Sequence, residues 1–408
     1  MLLFYNIAIY AYYFIIKIAS TTNTKAKLWV AGRRDQQFRT LQKSAWFHFA
    51  SLGEFEQGRP VLEAFKVQHP GHPIVVTFFS PSGYEVRKNT PLADAVYYLP
   101  LDTANNARQF IDTIDPVIAV FTKYEYWYHF YNEAHQRNIP LYVISAIFRP
   151  KQLFFKCYGG LHRQILGKVT RFFVQDEDSK TRLSTIGINN VMVSGDTRFD
   201  RVYANALAPK QLPLIERFKN NARVFIAGST WPADEELIAP LITEHPDWKF
   251  IFAPHEIPEA KIIDLMGKLP ADRTVRFSHI KADDQYLASK QVLVIDNIGM
   301  LSSLYQYGDV AYIGGGFGVG IHNTLETAAF GSPVIFGPNY QKFKEARDLV
   351  DLGGGFSISD AQQLKTIADQ LINNDAHREQ AGAIAKELVQ RSKGATQIIM
   401  QNIEIRKE

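Results

Sequence analysis

Short apolar runs alternate with amphipathic stretches from residue 44 almost to the end of the chain, and this alternation limits the architecture more than any other feature. Residues 44–51 (SAWFHFAS), 74–79 (IVVTFF), 95–99, 117–122 (VIAVFT), 141–148 (LYVISAIF), 171–175 and 191–194 read as strands. Residues 54–67, 105–114, 127–137 and 179–186 read as helices between them. Strand followed by helix, repeated, means parallel strands joined by crossover helices. A second series follows the polar, proline-interrupted stretch 205–221. Its strands are 224–227, 249–253, 275–277, 292–295, 310–313 and 333–336, and helices at 361–373 and 377–390 close the chain.

The expected fold class is therefore α/β, with two Rossmann-like doubly wound domains facing a cleft, at residues 21–205 and 206–408. In such sheets ligands lie beyond the carboxyl ends of the strands. With 46% apolar residues in 408, disorder is not the default. A net charge of +4 is too small for a protein that neutralises many phosphates, so no nucleic-acid partner is expected. The basicity is local: Lys17, Lys25, Lys27, Arg33, Arg34, Arg39 and Lys43 against Asp35 put +6 between residues 17 and 45.

Residues 1–16 carry no charge and are rich in Leu, Ile, Tyr and Phe. As a helix they would reach ~24 Å, short of the ~30 Å hydrocarbon core. Positive charge follows the run instead of preceding it, which argues against a cleaved signal and keeps the following domain on the cytoplasmic side. Two readings stand: a first helix buried on the protein body, or a membrane-associated helix at residues 1–20 whose basic follow-on meets anionic headgroups. The one cysteine, Cys157, excludes an intramolecular disulfide and multi-cysteine metal sites, and its apolar surroundings predict a buried structural thiol.

Five strand-end loops carry chemistry. Ser51, Gly53 and Glu54 follow the first strand; Glu54 can take a proton from a hydroxyl, or serve in a Ser-x-x-Glu capping box. Lys123, Tyr124, Glu125, Tyr126 and Trp127 follow the fourth, a carboxylate among rings that suits a carbohydrate, or a helix start with inward aromatics. In the second half a strand runs into Gly314, Gly315, Gly316, Phe317, Gly318, Val319, Gly320 and then to a helix that Asn323 or Thr324 can start. Exposed N–H groups there can hold an anion. Glu326 can grip ribose hydroxyls or pair with Asn323 as a cap. Gly228, Ser229 and Thr230 precede another helix start, and Pro254, His255 and Glu256 follow the next strand, with His255 as a phosphate neighbour. The glycine loop is not a Walker loop, since no Gly-Lys-Ser/Thr follows, and it matches the dinucleotide fingerprint only loosely, so no nucleotide cofactor is expected.

The stretches 50–54 (ASLGE), 78–83 (FFSPSG), 98–102 (YLPLD), 124–127 (YEYW), 194–200 (SGDTRFD), 228–230 (GST) and 314–338 resemble, in order and over almost the whole chain, the 3-deoxy-D-manno-octulosonic acid (Kdo) transferases. The resemblance implies an inverting, metal-independent glycosyltransferase of the B-type fold on the cytoplasmic face of the inner membrane. Its donor would be CMP-Kdo and its acceptor a lipid A precursor. It assigns Glu54 as general base and Glu125 as a second acid. The donor set is Gly228, Ser229, Thr230, Pro254, His255, Gly315, Gly316, His322, Asn323 and Glu326; Ser51, Gly53, Lys123, Tyr124 and Arg198 face the acceptor. Pro254-His255-Glu256 stands where many members have Pro-Arg-His, leaving Arg198 or Lys342 to supply the missing cation. Lys123-Tyr124-Glu125-Tyr126-Trp127-Tyr128 replaces the usual Glu-Thr-Glu-Leu-Trp-Pro. The alternatives are a UDP-sugar transferase of the same fold and a non-catalytic membrane-surface binding protein.

Overall fold

The computed structural model describes residues 1–281 and 284–406. By internal packing the chain forms two compact units, Met1–Arg201 with the segment from Lys393 onward, and Val202–Ser392. The carboxyl-terminal residues, expected with the second domain, thus pack on the first.

The first unit holds a parallel sheet of β1 (Ser44–Phe49), β2 (Ile74–Phe78), β3 (Ala95–Tyr98), β4 (Pro116–Thr122), β5 (Leu141–Ala146), β6 (Arg171–Val174) and β7 (Val191–Val193), in the order β3-β2-β1-β4-β5-β6-β7. β1 is buried on both faces, as a central parallel strand must be. Trp46 packs with Phe110, Phe121 and Phe130 on one face, while Phe47 and Phe49 join Phe55, Phe65 and Phe78 on the other. The chain order reverses between β1 and β4, and that switch point is where a doubly wound sheet opens a crevice at its carboxyl edge.

Two helices precede the sheet, α1 (Leu2–Ala19) and α2 (Thr24–Arg34), and α3 (Leu52–Gln68) follows β1. α1 is long and apolar enough to cross a membrane. α3 lies close on the sheet because Gly58 has no side chain: a Cβ there would come within 2.4 Å of the Phe49 ring and 2.9 Å of Thr122 Oγ1. Its first turn is thereby fixed at the switch point. The final helix, Ala395–Gln401, is capped by Asp200, which accepts the Gly394 and Thr396 N–H groups, and sets Ile399 into the core of the first unit.

The second unit repeats the pattern with β8 (Arg223–Thr230), β9 (Trp248–Pro254), β10 (Thr274–Arg276), β11 (Val292–Val294), β12 (Val310–Ile313), β13 (Val334–Phe336) and β14 (Gly355–Ser357), in the order β10-β11-β9-β8-β12-β13-β14. Its switch point lies between β8 and β12. The edge strand β14 was not expected, since Gly355-Phe356-Ser357 is too short to show a pattern.

Cys157 is exposed, contrary to expectation. Its apolar neighbours form a single 3-10 turn, Leu153–Phe155, in which only Phe154 is buried, so the thiol swings outward.

Candidate active site

In the first unit the two loops expected to carry chemistry flank the switch point. Ser51 caps α3 loosely, its Oγ accepting the Glu54 N–H at 3.5 Å. Glu54 reaches back to the Ala50 N–H, which it accepts through Oε2 at 2.7 Å, so the capping box is displaced by one residue. Among the described residues Glu54 Oε1 has no hydrogen-bond partner. Removal from water pushes the Glu54 pKa up to about 7; the Ala50 N–H opposes the rise, the Glu125 carboxylate adds to it, and the Lys123 ammonium opposes it. A carboxyl poised near neutrality is suited to taking a proton from a hydroxyl.

Glu125 follows β4. Its Oε2 accepts the Trp127 indole N–H at 2.9 Å and lies 3.4 Å from His48 Nε2. Burial holds the His48 pKa below its ordinary value despite the Glu125 carboxylate, so the ring is neutral near pH 7. Its Nδ1 meets Thr77 Oγ1 at 2.8 Å, and that oxygen also accepts the Trp46 indole N–H at 2.9 Å. This arrangement suits the tautomer in which Nε2–H points to Glu125. Lys123 sits in the left-handed region, φ 60°, a strained setting for a side chain that clusters at ligand sites. Tyr124 is exposed, whereas Tyr126 turns inward against Phe148 and Phe154. The reading of inward-packed aromatics therefore holds for Tyr126. Gly53 is exposed in the first turn of α3.

Arg198 is tied to the buried Asp196, its Nε donating to Oδ2 at 2.8 Å, while Gln57 donates to Oδ1 at 2.7 Å. Burial pushes the Asp196 pKa up, but the Arg198 guanidinium outweighs it and holds the group ionised. The guanidinium is thus oriented by Asp196.

In the second unit the glycine loop follows β12 beside the end of β8, as expected, but its N–H groups are partly engaged. Gly314 donates to the Gly228 carbonyl at 2.9 Å and Gly315 to Asp234 Oδ2 at 3.0 Å. Gly318 and Gly320 both donate to the Gly315 carbonyl. The glycines serve close packing: a Cβ on Gly314 would lie 2.2 Å from the Ser229 carbonyl oxygen, and one on Gly316 would lie 2.6 Å from the Gly337 backbone. The expected helix after Gly320 is the single turn Leu325–Ala328, too short for a substantial dipole. The helix after Thr230, Pro232–Glu244, holds its own anion, since buried Asp234 accepts the Trp231 N–H at 2.9 Å.

Rings meet where a phosphate grip was expected. His255 stacks between Trp231 and His322, with centroids 4.9 and 4.3 Å away. The Trp231 indole N–H donates to His322 Nε2 at 3.2 Å. Burial and the neighbouring His255 lower the His322 pKa, and Asp234 opposes them. Asn323 accepts the Leu325 N–H at 3.1 Å and donates to Glu326 Oε1 at 3.1 Å, joining two predicted residues in one pair. Ser229, at φ 52°, is the counterpart of Lys123 at the other switch point. Thr230 donates to Glu235 at 3.2 Å. Pro254 is half-buried at the end of β9, and Lys342 is exposed.

Sequence reasoning missed His48, Thr77, Asp196, Trp231 and Asp234. Asp196 stands two residues before Arg198 at a helix start, a spacing that could have flagged it. His48 and Thr77 are long-range partners with no local signature, whereas Trp231 and Asp234 stand three apart at a helix start, a capping spacing that could also have been read.

Residues 23–201 match the family model described as 3-deoxy-D-manno-octulosonic-acid transferase (kdotransferase). The chain is 28% identical over 372 residues to the 3-deoxy-D-manno-octulosonic acid transferase of Haemophilus influenzae, covering 87% of this chain and 85% of that one. It is 25% identical over 346 residues to the enzyme of the same description from Aquifex aeolicus, covering 83% and 88%. In structure it is similar to the UDP-GlcNAc 2-epimerase of Neisseria meningitidis, with a TM-score of 0.62 at 15% identity over 88% of this chain and 98% of that one, a likeness of fold alone. The two parallel seven-stranded sheets are those of the B-type glycosyltransferase fold. The protein is a glycosyltransferase, and its residues 23–201 are a domain of the Kdo transferase family.

Proposed function

We propose that the protein transfers Kdo, with inversion, from CMP-Kdo to a hydroxyl of a phosphorylated glucosamine disaccharide lipid A precursor, with Glu54 as general base. The observation that carries the mechanism is the Glu54 carboxyl, raised to about 7 at the β1–β4 switch point with one oxygen unpartnered among the described residues. Glu54 takes the acceptor hydroxyl's proton as that oxygen bonds to the anomeric carbon of Kdo. The bond from the anomeric carbon to the phosphate oxygen breaks, and CMP leaves with the electron pair. Ser51, Gly53, Lys123, Tyr124 and Arg198 receive the acceptor, with the cations set toward its phosphates. Glu125, held by Trp127 and His48, keeps the Glu54 proton affinity high.

The nucleotide is assigned to the second unit's switch point, where Gly228, Ser229 and Thr230 face the glycine loop and His322, Asn323 and Glu326 supply polar groups. Water must be kept from the donor, which it otherwise hydrolyses. The apolar α1 and the basic residues behind it support a place at the cytoplasmic face of the inner membrane, where such an acceptor lies.

The test is incubation of the full chain with CMP-Kdo, generated in place, and lipid A precursor. The expected product is heavier by one or more Kdo units. Glu54→Gln should abolish this gain while CMP still raises the melting temperature. Protection by UDP and not CMP would transfer the reading to a UDP-sugar donor, and no turnover with any donor would leave a binding protein.

A further inference from the structure

Helix α1 has two unlike sides. The inner side is tied to the first unit along its length. The Tyr5 hydroxyl donates to the buried Asp102 carboxylate and accepts the Tyr128 N–H at 3.2 Å. Asp102 also accepts the N–H groups of His129 and Phe130, both at 3.1 Å. Asn6 Oδ1 lies 2.7 Å from His129 Nε2, and Ile9 is buried. One turn further, Tyr12 packs on Trp29 and Phe79, with centroids 5.9 and 6.2 Å away, and Tyr13 packs on Trp29 at 6.2 Å. These positions recur at helical spacing on one face.

On the outer side Leu3, Phe4, Ile7, Phe14, Ile15 and Ile18 are each more than half exposed. This apolar stripe runs ~23 Å along the helix at 1.5 Å per residue. Lys17, Lys25 and Lys27 are exposed beside its far end. An apolar stripe flanked by lysines is complementary to a leaflet of anionic lipid.

We propose that α1 lies flat in one leaflet, its inner face built into the first unit and its outer face in lipid, so that both helix ends stay on the side of the membrane that holds the sheet. The proposal rests on the membrane reading above and decides its geometry. A helix standing across the bilayer would have to leave the unit. Asp102 would lose its phenolic donor, and Tyr5 and Asn6 would enter hydrocarbon without their partners.

The test uses the full chain with an epitope tag ahead of Met1, made in bacterial inner membranes and prepared as sealed inside-out and right-side-out vesicles. Protease should remove the tag from inside-out vesicles, which present the enzyme's sheets outward, and spare it in right-side-out ones. The reverse pattern, with the protein still membrane-bound, overturns the flat helix and leaves the membrane reading intact. Recovery of the protein only in the soluble fraction, with no flotation on anionic liposomes, overturns the membrane reading and this proposal with it.

Discussion

The Glu54 carboxylate folds back over the start of its own helix to accept the Ala50 N–H at 2.7 Å. One oxygen is thereby fixed by backbone, so the carboxyl has a single orientation without a side-chain partner to neutralise it. Capping and proton transfer are compatible because they use different oxygens.

The raised proton affinity of Glu54 has a stability consequence. A carboxyl with pKa about 7 folded and ~4.3 unfolded favours the native state when protonated, and that contribution fades as pH rises from ~4.3 through 7. Glu54→Gln removes the cost of ionisation. It should be more stable than the parent at pH 8, by up to about 4 kcal/mol, with the difference vanishing near pH 4. Urea titrations at the two pH values measure it.

Charges beside Glu54 should move its titration in opposite directions. Transfer needs the ionised carboxylate, so kcat/KM is expected to rise with pH and level off above about 7. Glu125→Gln removes a neighbouring negative charge and should shift this rise to lower pH; Lys123→Met removes a positive one and should shift it to higher pH. pH–rate profiles of both variants check the pair. A common shift in one direction would contradict the electrostatic account.

In the second unit, Gly314→Ala places a methyl 2.2 Å from a carbonyl oxygen. Because the obstacle is backbone, the loss should be about 1–3 kcal/mol, with weakened CMP protection. At Gly318 the nearest atom is 3.5 Å away, so Gly318→Ala is expected to be close to neutral. Thermal melts with and without CMP compare the two.

Asp196→Ala removes the buried carboxylate to which the Gln57 amide and the Arg198 guanidinium both donate. Breaking such a pair costs about 3–5 kcal/mol when fully buried. Arg198 retains access to water, so the lower end is expected by chemical denaturation.

The alternating pattern identified both sheets because parallel strands buried on two faces must be continuous apolar runs, as in residues 117–122. The positions of Glu54 and Glu125, just past the carboxyl ends of β1 and β4, were legible for a related reason: each follows directly on one of these apolar runs. The His48–Glu125 contact was not, since its partners stand 77 positions apart and meet only through the β1–β4 pairing. Nor could the glycine loop's internal bonding be read. Gly314, Gly315 and Gly316 look like a phosphate cradle, and only the approach of Asp234 and Gly337 shows how much of that loop is devoted to packing.

The helix Ala395–Gln401 seats Ile399 among Phe47, Phe55 and Phe65, and Arg406 donates its backbone N–H to the Val117 carbonyl at 2.8 Å. During synthesis the first half of the polypeptide must therefore wait, one flank of its interior unsealed, until residues 393–406 leave the ribosome. The intervening half has all its strands by then and can finish first. A gene cut at the boundary between the halves would yield a leading fragment with a greasy gap, which a short peptide carrying residues 393–406 should close.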